Sequence, residues 1–284
     1  MQLKQAVERA YERFVEHEVP SPRLNAEQLV LFVLGREHAY LYAHPEHEFA
    51  ADEAARYEEI VAQRERGCPT QYITGHQEFW GLDLLVSPAV LIPRPETEHV
   101  VETVLDLVLD SYKENPRNIR IVDVGTGSGC IALALSSEMP KAEIHGCDIS
   151  DEALEMARIN AARLALGQRV LFRKSDLLGI YGDMKFDFVV SNPPYVGEDE
   201  ADKVQRQVKE YEPKVAVFSG KQGMDIYRRL IPQVKEALNS GGWFVTEIGF
   251  STEAQVKDLL KGWVEVRTTA DLQGIPRVVA ARKA

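Results

Sequence analysis

The chain has 284 residues, of which 45% are hydrophobic and 27% are charged. At roughly 150 residues per domain this length predicts two domains, and the composition excludes a disordered or collagen-like chain. Residues 1–78 carry 8 basic and 14 acidic side chains and the rest carries 25 and 30, for a net charge of −11. Neither part resembles a dedicated nucleic-acid binder, in which Lys and Arg cluster.

Nothing in the sequence suggests a membrane, a secretory pathway or a metal. The longest apolar stretch, Leu29–Leu34, is far shorter than the ~18 residues of a membrane span. The charged N-terminal segment argues against a signal peptide. Cys68, Cys130 and Cys147 show no C-x-x-C spacing, which argues against a disulfide framework and a zinc site. We therefore expect a cytoplasmic protein without a bound metal.

The first 78 residues predict helices. Apolar residues at helical spacing form one face of a first helix, which Pro20 and Pro22 are expected to end. That face contains Leu3, Val7, Ala10 and Phe14. Asn25 and Gln28 resemble a variant capping box for a second helix that reaches Gly35.

From Gln77 onward the pattern becomes mixed. Glu78–Trp80 and Leu82–Val86, separated by Gly81, predict a short hairpin or an extended linker, and a helix is predicted from about Thr97. Strands and helices then alternate, which predicts a mostly parallel sheet with helices on both faces and a ligand at the carboxyl ends of its strands. The predicted strands are Ile119–Val124, Glu143–Asp148, Val170–Arg173, Phe186–Ser191, Trp243–Ile248, Val264–Thr268 and Arg277–Ala281. The predicted helices are Cys130–Glu138, Asp151–Leu166, Met224–Leu238 and Thr252–Leu260.

A glycine-rich loop joins the first of these strands to its helix. It contains Gly125, Thr126, Gly127, Ser128 and Gly129. Alternate glycines permit positive φ and close approach of a ligand to the backbone, and the helix start presents free N–H groups. Asp148 ends the next strand, 23 residues after Gly125, where a carboxylate can accept hydrogen bonds from both ribose hydroxyls of an adenosine-containing cofactor. The G-x-G-x-G spacing, with Cys130 where the dinucleotide pattern needs Gly or Ala, favours S-adenosylmethionine.

A second motif, Asn192-Pro193-Pro194-Tyr195, directly follows an apolar strand. The nitrogen of a carboxamide or of a nucleobase amine is planar and a poor nucleophile, because its lone pair is delocalised. The Asn192 side-chain oxygen and the Pro193 carbonyl can each accept one of its N–H groups, which favours positive charge on the attacking nitrogen. Proline fixes the carbonyl directions, and the Tyr195 ring can stack on a flat π-system. The motif thus predicts methylation of a planar nitrogen.

With these motifs the sequence resembles the class I S-adenosylmethionine-dependent methyltransferases, and most closely the HemK/PrmC family of protein-(glutamine) methyltransferases. The stretch Ile92-Pro93-Arg94-Pro95-Glu96-Thr97-Glu98 discriminates this family from adenine and guanine methyltransferases. The resemblance implies a Rossmann-like, mostly parallel seven-stranded α/β sheet with a small all-α N-terminal domain. It also implies methyl transfer to the glutamine of the Gly-Gly-Gln motif in class-1 peptide chain release factors.

The resemblance further implies roles for particular segments. Residues 1–76 would be a helical substrate-recognition domain, 77–95 a hairpin and linker, and 96–284 the catalytic domain. Gly125–Gly129, Asp148, Leu177 and Asn192 would bind S-adenosylmethionine, with S-adenosylhomocysteine as product, and Asn192–Tyr195 would hold the substrate glutamine. Some family members have an aromatic residue where this chain has Leu177, so here the adenine would rest on an aliphatic wall. We expect a monomer whose partner is a release factor, with no direct nucleic-acid or membrane contact.

Two alternatives stay open from the sequence. A nucleic-acid adenine or guanine amino-methyltransferase would use the same chemistry at Asn192, but the acidic balance and the lack of a basic, aromatic-interleaved segment argue against it. A cofactor-binding adaptor without catalysis would not need the Asn192 motif. Asp225 and Glu247 show no pattern that separates a role in the cleft from a structural one.

Overall fold

The computed structural model describes residues 1–112 and 118–284. The chain forms two compact units. The first contains Met1–His76 together with Gln205–Tyr211, and the second contains Gln77–Val204 and Glu212–Ala284. A seven-residue segment from late in the chain thus packs with the N-terminal helices. A division of the chain into consecutive ranges does not show this.

The first unit is helical, as the sequence predicts. Its N-terminal part contains α1 (Leu3–Glu16), α2 (Pro22–Leu34), α3 (Ala39–Ala43), α4 (Ala51–Glu65) and α5 (Thr70–Thr74). The core contains the apolar face predicted for α1 and packs it against α2 and α4, with Phe14, Leu29 and Tyr57 fully buried. The first unit therefore has a hydrophobic core of its own.

Two predictions for these helices are wrong. α1 ends at Glu16, before Pro20, and Pro22 begins α2 instead of ending α1, because proline lacks only an N–H that the first helical turn leaves unpaired anyway. Asn25 lies inside the first turn of α2 and caps nothing. Gly35 does end α2, at a φ of +60°.

The buried Asn25 amide instead joins three helices. Its Nδ2 donates to the Pro20 and Ser21 carbonyls at 2.8 and 3.0 Å. Its Oδ1 accepts from Arg64 Nε at 2.8 Å and from the Thr70 hydroxyl. Asparagine has a low intrinsic helix propensity. Its place inside α2 therefore follows from these tertiary hydrogen bonds and not from local propensity.

The second unit begins with the predicted hairpin of β1 (His76–Phe79) and β2 (Leu82–Leu85). Trp80 and Gly81 connect the strands and have φ values of +55° and +70°. Positive φ at both central residues is the requirement of a two-residue type I′ turn, whose twist matches that of the strands. The hairpin prediction is therefore confirmed.

A seven-stranded sheet forms the centre of the second unit. Its strands are β3 (Arg120–Val124), β4 (Glu143–Asp148), β5 (Val170–Lys174), β6 (Phe186–Ser191), β7 (Leu238–Glu247), β8 (Val264–Ala270) and β9 (Pro276–Arg282). They lie in the order β5-β4-β3-β6-β7-β9-β8. The first five are parallel, and β9 runs antiparallel to β7 and β8. This confirms the predicted mostly parallel seven-stranded sheet.

Helices cover both faces of this sheet. They are α6 (Glu98–Tyr112), α7 (Cys130–Glu138), α8 (Asp151–Arg163), α11 (Asp225–Ala237) and α12 (Glu253–Leu259). The short helix α9 (Arg206–Tyr211) belongs to the first unit, and α10 (Lys214–Val217) belongs to the second. β6 shows why its sequence is apolar throughout: Phe188 and Val190 pack into one core with α6 and α7, and Phe186 and Val189 pack into the other with α11 and α12. In a strand that is buried on both faces, polar and apolar residues do not alternate.

The strand order reverses beside β3, whose neighbours are β4 on one side and β6 on the other. Open α/β sheets bind ligands at such a switch point, outside the carboxyl ends of the strands. The glycine loop follows β3, Asp148 ends β4, and Asn192 follows β6. The topology therefore brings both sequence motifs to one edge of the sheet.

Among the described residues, no helix is both long and apolar enough to cross a membrane.

Candidate active site

A cavity of about 410 Å³ lies at the carboxyl ends of β3, β4 and β6, a volume in the range of small-molecule sites. The sequence-predicted site residues that line it are Gly125, Thr126, Gly127, Ser128, Asp148, Leu177, Asn192, Pro193 and Pro194. Gly129 and Tyr195 are not among the lining residues. Across residues 1–112 and 118–284, no group of three or more His, Cys, Asp or Glu side chains is arranged to hold a metal ion.

The glycines of the loop have two different functions. Gly125 and Gly127 have φ values of +74° and +55°, and a Cβ atom on either would meet nothing within 4 Å. They permit the left-handed turn and leave room in front of the backbone. Gly129, at φ +86°, precedes α7, and a Cβ there would lie 3.1 Å from the Leu133 side chain and 3.2 Å from that of Ala157. Its role is close helix packing, which explains its place outside the cavity lining.

Asp148 ties the end of β4 to the glycine loop. Its Oδ2 accepts a hydrogen bond from the Gly127 N–H at 2.9 Å, and its Oδ1 accepts one from the Ser150 N–H at 3.0 Å. Each carboxylate oxygen has two lone pairs, so one acceptor position on each oxygen is left for a ligand. The carboxylate thus fits two ribose hydroxyls while it also shapes the loop that faces them.

The apolar side of the cavity fits a flat heterocycle. Leu177 lines it together with Ile149, whose exposure of 52% is unusual for a large aliphatic residue. Leu177 has a φ of +54°, a strained value for a residue with a branched side chain. Leu177 and Ile149 therefore provide an aliphatic surface in the cavity, and contact of Leu177 with the adenine stays a prediction.

Asn192 has a fixed orientation at the edge of this cavity. Its Nδ2 donates to the Thr97 hydroxyl oxygen at 3.0 Å. The Thr97 hydroxyl in turn donates to Glu247 Oε2 at 2.6 Å. No hydrogen bond from the described part of the chain uses Asn192 Oδ1 or the Pro193 carbonyl. Asn192 and Pro193 both line the cavity, and these two oxygens are free to accept hydrogen bonds from a ligand.

Tyr195 lies behind the motif and does not line the cavity. Its hydroxyl donates to Glu247 Oε1 at 3.0 Å. The negative charge of Glu247 raises the pKa of Tyr195 well above its ordinary value, so the hydroxyl stays protonated and keeps donating. A Cβ on Gly249 would lie 2.9 Å from the ring, which therefore packs closely against the backbone after β7.

Glu247 is the functional candidate that the sequence does not single out. It ends β7, one residue beyond Thr246, which pairs with Ser191 at the end of β6. Its side chain is 2% exposed, and burial raises its pKa while the hydrogen bonds from Thr97 and Tyr195 oppose that rise. An acidic residue at the end of an apolar strand is the only sequence signal, and it becomes informative only when the strand order is known.

The segment before α6 is held by a second buried acid. Glu212, 5% exposed, accepts from the Ile92 N–H at 3.2 Å and forms an ion pair with Arg94. Pro93 and Thr97 of this segment line the cavity, whereas Arg94 does not. The segment that the family resemblance assigns to the cofactor and substrate thus reaches the cavity through its apolar and hydroxyl residues.

The two cysteines near the loop are protonated thiols. Burial raises the pKa of Cys130 to about 12 and raises the pKa of Cys147 as well. Because the thiolate is the nucleophilic form of cysteine, neither side chain is activated for attack at neutral pH.

Comparison with known proteins identifies the family that has this site. Family models described as PrmC N-terminal domain and Methyltransferase small domain match residues 5–75 and 100–211. A release factor glutamine methyltransferase of Koribacter versatilis is 55% identical over 286 residues, which cover 100% of this chain and 99% of the relative. The chain belongs to the release factor glutamine methyltransferase family. A relative of the same name from Geobacter sulfurreducens is 38% identical over 94% of this chain and 92% of its own length.

Solved structures share the fold at low identity. The hMettl16 catalytic domain in complex with MAT2A 3′UTR hairpin 6 is 20% identical and covers 82% of each chain, with a TM-score of 0.56. A methyltransferase from Pyrococcus furiosus is 16% identical and covers 83% of this chain and 100% of that one, with a TM-score of 0.51. This likeness concerns the fold alone. Together with the family it confirms the predicted class I fold and an enzyme that uses S-adenosylmethionine.

Proposed function

We propose that this enzyme transfers the methyl group of S-adenosylmethionine to the side-chain amide nitrogen of the glutamine in the Gly-Gly-Gln motif of class-1 peptide chain release factors. The observation that carries the proposal is the pair of free acceptors, Asn192 Oδ1 and the Pro193 carbonyl, beside a cavity that suits the cofactor. The names of the relatives supply the substrate.

In this proposal the loop and the strand ends hold the cofactor. Gly125–Gly129 leave the backbone open to it, with Gly129 acting through helix packing, and Asp148 accepts hydrogen bonds from its ribose hydroxyls. Leu177 contacts its adenine. S-adenosylmethionine supplies an activated methyl group and becomes S-adenosylhomocysteine, so the protein needs no covalent intermediate.

The substrate amide is oriented by the Asn192 motif. Asn192 Oδ1 and the Pro193 carbonyl accept its two N–H groups, which fixes the nitrogen for attack and favours the positive charge that develops on it. Pro194 forms the wall beside the amide. Tyr195, which lies behind the lining residues, supports the motif through its hydroxyl bond to Glu247. Glycine neighbours of the glutamine would let its backbone come close to this wall.

The test is a direct comparison of substrates. The protein is incubated with S-adenosylmethionine carrying a labelled methyl group and, in separate reactions, with a release factor, DNA or ribosomal RNA. Label in the release factor alone supports the proposal. Label in a nucleic acid supports an adenine or guanine amino-methyltransferase, whose chemistry at Asn192 would be the same. Cofactor binding without transfer to any of them supports an adaptor.

We also propose that the N-terminal part of the first unit, residues 1–76, recognises the release factor outside its Gly-Gly-Gln loop. Binding energy from such distant contacts would orient the amide for reaction. A short peptide with the same motif should then react with a much lower kcat/KM than the whole release factor. Equal values would show that distant contacts contribute nothing. The enzyme would act as a monomer, and in the cytoplasm, because its proposed substrate works there.

A further inference from the structure

The buried carboxylate of Glu247 is connected to the site only through other side chains. It is not among the residues that line the cavity, and its two oxygens accept from Thr97 and Tyr195. No ion pair reaches it from the residues that the structure describes. The Arg277 guanidinium attracts Glu247 only from beyond ion-pair distance, because it pairs with Glu96 and Asp271. A buried carboxylate without an ion pair destabilises the fold, so its position at the end of β7 calls for a reason beyond stability.

The directions of the hydrogen bonds follow from the chemistry of the groups. An ionised carboxylate only accepts, so the single proton of the Thr97 hydroxyl points to Glu247 Oε2. The Thr97 oxygen can then only accept from Asn192, and the end of the Asn192 carboxamide that faces Thr97 must be its NH₂ group, at 3.0 Å. Asn192 Oδ1 is thereby directed away from Thr97.

We propose that Glu247 is a positioning residue, which sets through Thr97 the end of the Asn192 carboxamide that is presented to the substrate. This inference rests on the proposed function, because Asn192 Oδ1 is there the acceptor for the substrate amide. If the carboxamide were reversed, the Asn192 NH₂ group would face the NH₂ group of the substrate amide, and neither group could accept a hydrogen bond. The three residues lie on three elements, before α6, after β6 and at the end of β7, so the fold fixes the chain of hydrogen bonds.

Glu247→Gln tests the proposal with almost no change in shape. A glutamine has one acceptor oxygen and one NH₂ group, so either Thr97 or Tyr195 loses its acceptor. When the NH₂ faces Thr97, the Thr97 proton is free to point to Asn192, and the reversed carboxamide is no longer disfavoured. We expect kcat for methylation of the release factor to fall about 10- to 100-fold, which is less than the ~100-fold or more expected when the preorganised polar group at the reacting centre is itself removed. The dissociation constant of S-adenosylmethionine should stay within about twofold.

Matched variants separate positioning from a structural effect. Thr97→Val removes the hydroxyl at constant shape and should lower kcat as Glu247→Gln does, whereas Thr97→Ser keeps the hydroxyl and should retain most of it. Tyr195→Phe removes only the other bond of Glu247 and leaves the Thr97 relay intact, so it should cost less. The double variant Glu247→Gln/Thr97→Val should be no slower than the slower single variant, because both break the same relay. A parent-like kcat for both Glu247→Gln and Thr97→Val, or multiplied losses in the double variant, would overturn the proposal.

A second measurement needs no substrate. NMR of the ¹⁵N-labelled protein detects the side-chain amide of Asn192, and its resonances are identified by their absence in Asn192→Ala. In the parent we expect slow solvent exchange of the proton that bonds to Thr97, and faster exchange in Glu247→Gln and Thr97→Val. Unchanged exchange would overturn the proposal. If the parent methylates no release factor, the proposed function fails, while this measurement still decides the role of Glu247.

Discussion

Replacing Asp148 by alanine should weaken the binding of S-adenosylmethionine. Each Asp148 oxygen already accepts one backbone N–H, from Gly127 and Ser150, and one further acceptor position on each is assigned to a ribose hydroxyl. Truncating a charged hydrogen-bonding partner costs on the order of 1.5–3 kcal/mol in total, which corresponds to an increase in Kd of about 10- to 150-fold. Isothermal titration calorimetry measures this change directly.

Two controls separate the ribose contact from other effects of the substitution. Asp151→Ala removes the same charge three residues away, from a side chain that does not line the cavity and pairs with Lys174, and should leave Kd within about twofold. Analogues of S-adenosylhomocysteine that lack one ribose hydroxyl should bind to the parent more weakly than S-adenosylhomocysteine does. To the Asp148→Ala protein, the analogues and S-adenosylhomocysteine should bind equally well. An Asp148→Ala protein with unchanged Kd, or one that still discriminates the analogues, would refute the ribose assignment.

Three further predictions concern Asn192, the two cysteines near the glycine loop, and Asp123, a buried carboxyl group in β3. Asn192→Ala should lower the single-turnover rate ~100-fold or more with cofactor binding largely kept, and a rate within a few-fold of the parent would contradict its role. Replacing Cys130 or Cys147 by alanine should leave turnover largely intact, and a methylated cysteine found by mass spectrometry would contradict direct transfer. Burial raises the pKa of Asp123 from 3.8 to about 7, so the folded state holds the proton more tightly than the unfolded state, and the unfolding free energy falls between about pH 4 and 7, by roughly 4 kcal/mol at 1.36 kcal/mol per unit. Asp123→Asn should remove most of this decrease in urea unfolding at pH 4.5 and 7.5, and an unchanged pH dependence would show that Asp123 is ionised throughout.

Local sequence patterns predict the central elements of the sheet with little error. β4, β6 and α7 have the predicted bounds, because Asp148 marks the end of β4, Asn192-Pro193 marks the end of β6, and the glycine loop marks the start of α7. Boundaries elsewhere shift by a few residues, as where β7 begins at Leu238 and not at Trp243. The first part of β7 contains polar residues and glycines that do not alternate with apolar residues, so its sequence does not indicate a strand.

Features that depend on distant parts of the chain could not be predicted. α9 is short and has no apolar periodicity. Its packing within the first unit depends on residues about 140 positions away, as in the hydrogen bond that Arg64 donates to Gln207 Oε1 at 2.9 Å. The Thr97–Glu247 bond likewise joins residues 150 positions apart. It exists because β7 pairs with β6, which is a property of the strand order and not of any local pattern.

The most direct test of the proposed function is to locate the transferred methyl group. A release factor is incubated with the protein and S-adenosylmethionine carrying a labelled methyl group, then digested and analysed by tandem mass spectrometry. The proposal predicts one labelled methyl group on the side-chain nitrogen of the glutamine in the Gly-Gly-Gln motif, and none when Asn192→Ala replaces the parent under the same conditions. Label on another residue of the release factor, or equal labelling by Asn192→Ala, would contradict it.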